Sequence, residues 1–190
     1  MNQRLILKSG SPRRNQILHS LGLDFDTTPA RISENLLSGE ACLDYLKRIT
    51  LAKLEIPLCD PDSVYISSDT IVLLGNRIYF KPADKNDAFR ILTELSGKTH
   101  EVIFGIGFCK GGEVFYDFDT TAVRFRNWEA REIQKYIDEH RPFDKAGSYG
   151  IQDKEGPVSD FVGSYSNVLG FPLRKFYTFF EIWQKFLSSD

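Results

Sequence analysis

The sequence predicts a mixed α/β fold, a curved mixed β-sheet flanked by helices. Three observations carry that expectation. Strand-like and helix-like segments alternate through the first half of the chain. Two long β-like runs, Thr99 to Cys109 and Glu113 to Arg126, meet at Lys110-Gly111-Gly112 as a hairpin. A length of 190 residues with 42% hydrophobic content suits one domain, 1–190, with a substantial core.

In chain order, Leu5 to Lys8 is a short strand that stops at Ser9-Gly10-Ser11. Pro12 to Leu21 follows as a helix, since Pro suits the first helical position and Ser11 the cap before it. Arg14, Ile17, Leu18 and Leu21 share one stripe, so Arg14 starts on the face that turns inward. Asp24 to Thr28 is a short strand, and Ala41 to Glu55 a helix ended by Pro57. Val64 to Ser67 is a strand with Asp69 expected just past its end. Ile71 to Leu74 and Arg77 to Phe80 flank Gly75-Asn76, a two-residue hairpin turn. Asn86 to Leu95 and Trp128 to His140 are helical. Asp144 to Ser166, rich in Gly and Ser, is expected to form loops with short strands. A last helix places Phe176, Phe180, Trp183 and Leu187 on one core-facing stripe. No repeat, low-complexity tract or linker interrupts this order.

Composition narrows the function. A formal net charge of −2 argues against a dedicated nucleic-acid binder. Cys42, Cys59 and Cys109 are odd in number and widely spaced, which supports neither a disulfide framework nor a zinc site. Reduced thiols in a cytoplasmic protein are the expectation. No segment has signal-peptide or membrane-span character.

The chemistry concentrates at Ser9-Gly-Ser-Pro-Arg-Arg14. A helix start favours an anion, and Arg13 and Arg14 add full charges beside it, which makes a phosphate-binding corner. Asp69 beside Thr70 is placed for a metal ligand or a general base. Lys53 shares a helical stripe with Leu46, Ile49 and Thr50, so its ammonium must either snorkel to water or find an anion. Glu34 pairs with Asp69 as a candidate for Mg²⁺, which is held by few carboxylates plus substrate phosphates. Lys81-Pro82 closes the hairpin and could return an ammonium to the same place.

Other motifs carry less. Gly97-Lys98-Thr99 lacks the earlier glycine of a P-loop, because Leu92 stands there. Asp117-Phe-Asp-Thr-Thr121 imitates a phosphatase nucleophile loop. Yet Val114, Tyr116 and Phe118 alternate as one strand face, which leaves Asp117 and Asp119 on the opposite, solvated one. His19, His100 and His140 have no metal-ligand spacing.

Ser9 to Arg14, Ser68-Asp-Thr70, Lys81-Pro82, Leu95-Ser-Gly-Lys-Thr-His-Glu-Val102, Lys145-Ala-Gly-Ser-Tyr-Gly-Ile-Gln152 and Gly163-Ser-Tyr-Ser-Asn-Val168 together resemble the Maf family. The resemblance runs in order from Leu5 to Leu173. It implies a nucleotide pyrophosphatase related in fold to inosine triphosphate pyrophosphatases, elongated, with two lobes about a central cleft. It further implies cleavage of a nucleoside triphosphate to monophosphate and pyrophosphate with a divalent cation, Mg²⁺ or Mn²⁺, and a possible homodimer.

Arg13, Thr70 and Gln152 resemble the dTTP/UTP branch and are implied to set substrate choice, with Asp69 as proton acceptor. A carboxamide at Gln152 can answer both the N3–H donor and the carbonyl acceptors of thymine or uracil. Ser9, Ser11, Arg13, Arg14, Lys53 and Lys81 are the expected phosphate ligands, and Glu34 and Asp69 the metal ligands. No nucleic-acid or membrane partner is expected. Lys8, Ser68, Phe80 and Phe171 depart from the family pattern, and Lys8 is expected to add charge beside the phosphate corner. The alternative is a non-catalytic nucleotide-binding regulator of division or stress, which would release no pyrophosphate.

Overall fold

The computed structural model describes residues 3–56 and 59–188. The chain runs β1 (Leu5–Leu7), α1 (Pro12–Ser20), β2 (Asp26–Thr27), α2 (Cys42–Ala52), β3 (Val64–Leu74), β4 (Arg77–Tyr79) and α3 (Lys85–Leu95). It continues with β5 (Thr99–Lys110), β6 (Glu113–Phe125), α4 (Ala130–His140), β7 (Val158–Val162), α5 (Tyr165–Leu169), α6 (Leu173–Thr178) and α7 (Phe180–Trp183). Short 3-10 turns cover Ala146–Ser148 and Gln184–Phe186. Pro57, the expected end of the second helix, lies outside the described residues.

A 7-stranded sheet has the order β2-β1-β3-β5-β6-β7, with β4 paired to β3. It is mixed, as expected. Strand β1 is parallel to β2 and β3, while β4 and β7 pair antiparallel. Every residue of β1 is buried, as a parallel strand with neighbours on both sides requires. Leu74 opposite Arg77 leaves Gly75-Asn76 as the turn, and Gly75 supplies the positive φ of 60° that the turn needs.

Helices form where pattern and caps agree. Asp84 accepts the Asp87 amide at 2.8 Å at the start of α3, whose Ala88, Ile91, Leu92 and Leu95 are buried. Glu129 and Glu132 close a reciprocal capping box on α4.

Two expectations change. Strand β3 does not stop before Asp69 but runs on to Leu74, so Asp69 lies inside it. A polar break of three residues is too short to end pairing when Ile71 and Val72 resume the buried pattern. The last helix is broken into α6, α7 and a 3-10 turn. The Trp183 indole folds back to stack on Phe176 at 4.2 Å and donates to its carbonyl at 2.9 Å, while Leu187 is left exposed.

The chain divides into two compact units. One comprises described residues within 1–69, 104–119 and 170–190. Its core includes Leu7, Leu18, Ile66, Phe104, Phe108, Phe176 and Trp183. The other comprises 70–103 and 120–169, with a core that includes Ile91, Leu92, Leu95, Val123, Phe125, Trp128 and Tyr136. Among the described residues no helix is long and apolar enough to cross a membrane. The three cysteines are free thiols, and burial pushes that of Cys59 up to about 11.

Candidate active site

Where β1 ends, the backbone turns at Ser9 into α1. Ser9 is buried, and its Oγ accepts the Ser11 amide at 3.2 Å and Arg14 Nη1 at 3.1 Å. Ser11 stands at the cap position with Pro12 after it, as expected, but its side chain makes no capping bond. Arg14 does turn inward. Its Nη1 donates to the Ser68 carbonyl at 2.9 Å, and its guanidinium lies 4.9 Å from the Phe104 ring centroid. Burial lowers its pKa to about 10, an effect opposed by the Asp69 carboxylate and reinforced by the Arg13 charge. The guanidinium therefore stays charged at neutral pH. Arg13 runs along the backbone of Gly170, where an added Cβ would stand 3.6 Å from Arg13 Nε.

The second cluster forms where α2 lies over the sheet. Ser67 and Asp69 share one face of β3, since successive strand side chains alternate. Ser67 Oγ donates to the Thr50 carbonyl of α2 at 2.6 Å. Gly105 and Gly107 of β5 let the helix approach closely: a Cβ at Gly105 would stand 2.5 Å from Thr50 Oγ1, and one at Gly107 3.4 Å from Thr50 Cγ2. Lys53, at the C-cap of α2, thereby reaches Asp69. Its Nζ is 2.6 Å from Asp69 Oδ1 and 2.9 Å from Glu34 Oε1. Of the two fates open to this ammonium, it finds anions. Lys53 and Asp69 side chains are each 12% exposed and Glu34 is 50% exposed.

The remaining candidates lie in the other unit. Thr70 follows Asp69 along β3 and is half-buried. Lys81 is exposed just past β4. Gln152 is exposed in a turn where Asp153 Oδ2 accepts the Gly150 amide at 3.1 Å and the Tyr136 hydroxyl at 2.5 Å.

Two expectations around these residues need correction. Lys8 adds no free charge to the phosphate corner, because its Nζ pairs with Glu55 at 2.6 Å in a largely buried contact. Asp119 is not on a solvated face: it is 4% exposed and bound by Arg174 at 2.5 Å, while Asp117 pairs with Lys175 at 2.8 Å. Instead Val114 and Phe118 are exposed, because Phe115 turns to the opposite side and packs against Phe179. Sequence reasoning also missed Phe104 and the Ser68 carbonyl, both partners of Arg14. A backbone carbonyl leaves no sequence signal.

The donor set suits a hard divalent cation. Two carboxylates, Glu34 and Asp69, already converge on one positive group, the Lys53 ammonium. No group of three or more His, Cys, Asp or Glu among the described residues could make an all-protein cage. One or two carboxylates completed by substrate phosphates is the usual manner of holding Mg²⁺.

This architecture has a counterpart among solved structures. The Staphylococcus aureus Ham1 protein superposes with a TM-score of 0.53 at 12% identity, covering 94% of this chain and 98% of its own. That likeness defines a fold class. The chain itself belongs to the Maf-like protein family, whose sequence model matches residues 4–182. A Leptospira biflexa relative named dTTP/UTP pyrophosphatase is 50% identical over 178 residues, 94% of this chain and 93% of its own. Another of that name, from Aquifex aeolicus, is 38% identical over 175 residues and covers 92% of both chains.

Proposed function

We propose that the protein is a pyrophosphatase that hydrolyses dTTP and UTP to the nucleoside monophosphate and pyrophosphate. The substrate follows from the names of its relatives. The observation that carries the chemistry is the Asp69–Lys53–Glu34 cluster, two acids about one ammonium, with Asp69 and Lys53 largely buried and Glu34 half-exposed.

Water attacks the α-phosphorus, a new O–P bond forms, the bond to the bridging oxygen breaks and pyrophosphate leaves. Asp69 orients that water and takes its proton. Lys53 engages Oδ1 of Asp69, and we assign Oδ2 to the water. Arg13, Arg14, Lys53 and Lys81 bind phosphate oxygens, joined by the Ser9 and Ser11 region at the start of α1. Arg14 is pre-positioned by Ser9 and the Ser68 carbonyl, so little reorganisation is needed as charge shifts to the leaving group. Glu34 and Asp69 would hold a divalent cation, Mg²⁺ or Mn²⁺. When bound, the cation supplies charge neutralisation along the triphosphate. Arg13, Thr70 and Gln152 set base choice: a site built on hydrogen bonds rejects bases that leave its groups unpaired. The reading includes a cytoplasmic location and action on free nucleotides, as a monomer or homodimer.

The test is a panel of nucleoside triphosphates with Mg²⁺, scoring monophosphate and pyrophosphate separately. dTTP and UTP are expected to give both products in equal amounts. Release of inorganic phosphate, or no turnover of any nucleotide, overturns the proposal. Asp69→Asn is expected to lower kcat by about 10²-fold or more while nucleotide binding survives. Near-normal turnover by that variant removes Asp69 from the mechanism.

A further inference from the structure

Glu34 has an unusual position for a group assigned to hold a cation. It sits in a stretch without regular structure between β2 and α2, and every residue from Ser33 to Gly39 is exposed. The two leucines of this stretch, Leu36 and Leu37, are exposed, and polar ties reach it from α2. The Tyr45 hydroxyl donates to the Glu34 carbonyl at 3.0 Å. Arg48 grips Glu40 with two bonds, Nε to Oε1 at 2.6 Å and Nη2 to Oε2 at 2.7 Å, and Nη2 also donates to the Asn35 carbonyl at 3.0 Å. Glu40 in turn accepts the Leu37 amide at 3.1 Å and closes the turn. The Arg48 guanidinium lies 5.6 Å from the Tyr45 ring centroid, so the two side chains support each other. Lys53 completes the set, pulling the Glu34 carboxylate from the far end of the same helix.

From this geometry we infer that Tyr45 and Arg48 are positioning residues that strap the Glu34 loop to α2 and so set the protein's affinity for the divalent cation. The inference rests on the reading of Glu34 as a metal ligand. It adds that the ligand is held through its own main chain, by residues that touch neither cation nor substrate. Arg48 holds Glu40 below the usual carboxylate range, so the fork stays ionised at neutral pH. A planar guanidinium is required, because a lysine could not serve both carboxylate oxygens and the Asn35 carbonyl together.

The experiment uses the full chain with uridine 5′-(α,β-imido)triphosphate, a substrate analogue resistant to cleavage at the scissile bond, and reads bound Mn²⁺ by electron paramagnetic resonance. Tyr45→Phe keeps the buried ring and removes only the hydroxyl. It is expected to weaken Mn²⁺ binding about tenfold, the scale typical of groups that orient a metal ligand. Arg48→Ala is expected to do the same, and Arg48→Lys to restore less than half of the loss. On a Glu34→Gln background, Tyr45→Phe is expected to change Mn²⁺ binding by less than about twofold, since its effect passes through Glu34. A general structural defect would instead weaken both backgrounds equally, and that result overturns the inference. So does Tyr45→Phe binding within about twofold of the unmodified protein. If Glu34→Gln binds Mn²⁺ as tightly as the unmodified protein, the reading of Glu34 fails first and the strap's role with it.

Discussion

At the residue scale, His100 shows how burial sets a proton's behaviour. It is 2% exposed, its Nε2 lies 2.8 Å from the Tyr149 hydroxyl, and Phe125 and Tyr149 present edges to its ring. Burial lowers its pKa to about 4. The unfolded chain holds its imidazole near 6.5 and so binds more protons than the native state between pH 4 and 6.5. Stability attributable to His100 is therefore complete above pH 6.5 and lost as pH falls through that window, by up to about 3 kcal/mol. Urea midpoints measured from pH 7 to pH 4 are expected to fall, and His100→Phe to flatten the part of the decline between 6.5 and 4. An unchanged slope in that variant would assign the decline to carboxylates. The same scale shows what a sequence discloses. A lysine on an apolar helical stripe must reach water or an anion, which singles out Lys53 in the sequence without saying which it finds. The Lys8–Glu55 pair and the Arg174–Asp119 pair are not legible, since nothing local announces a partner 47 or 55 positions away.

At the element scale, the site depends on how closely α2 approaches the sheet. Gly105 and Gly107 remove the side chains that would hold it off, and Thr50 fills the space. Gly105→Ala is expected to destabilise the protein by about 1–3 kcal/mol, as overpacking does. It should also lower activity, because lifting α2 draws Lys53 away from Asp69. Chemical denaturation and steady-state kinetics on one preparation check both effects, and intact stability would show that the helix moves freely. The helices α3 and α4, the hairpin turns and β1 can be read directly from caps, periodicity and glycines. Two elements cannot. The continuation of β3 through Ser68-Asp69-Thr70 is decided by pairing with strands remote in sequence. The break after Thr178 is decided by the indole of Trp183 competing for a main-chain carbonyl.

At the scale of the whole molecule, the mixed sheet and its flanking helices follow from the order of elements, but the division into two units does not. The chain passes between them at Asp69/Thr70, Ile103/Phe104, Asp119/Thr120 and Leu169/Gly170. The first three passages fall inside β3, β5 and β6, where a continuous strand gives the sequence no boundary to display. Shared strands also bear on cooperativity. A unit that unfolds must break hydrogen bonds in strands that continue into its neighbour, so a single transition is expected. The chain carries its own means of checking this, for it has two tryptophans, Trp128 buried in one core and Trp183 in the other. Replacing either by Phe leaves a lone tryptophan that reports from one half of the protein. Emission curves from the two variants that superpose after normalisation would mark an all-or-none machine, and curves that separate would reveal halves able to melt in turn.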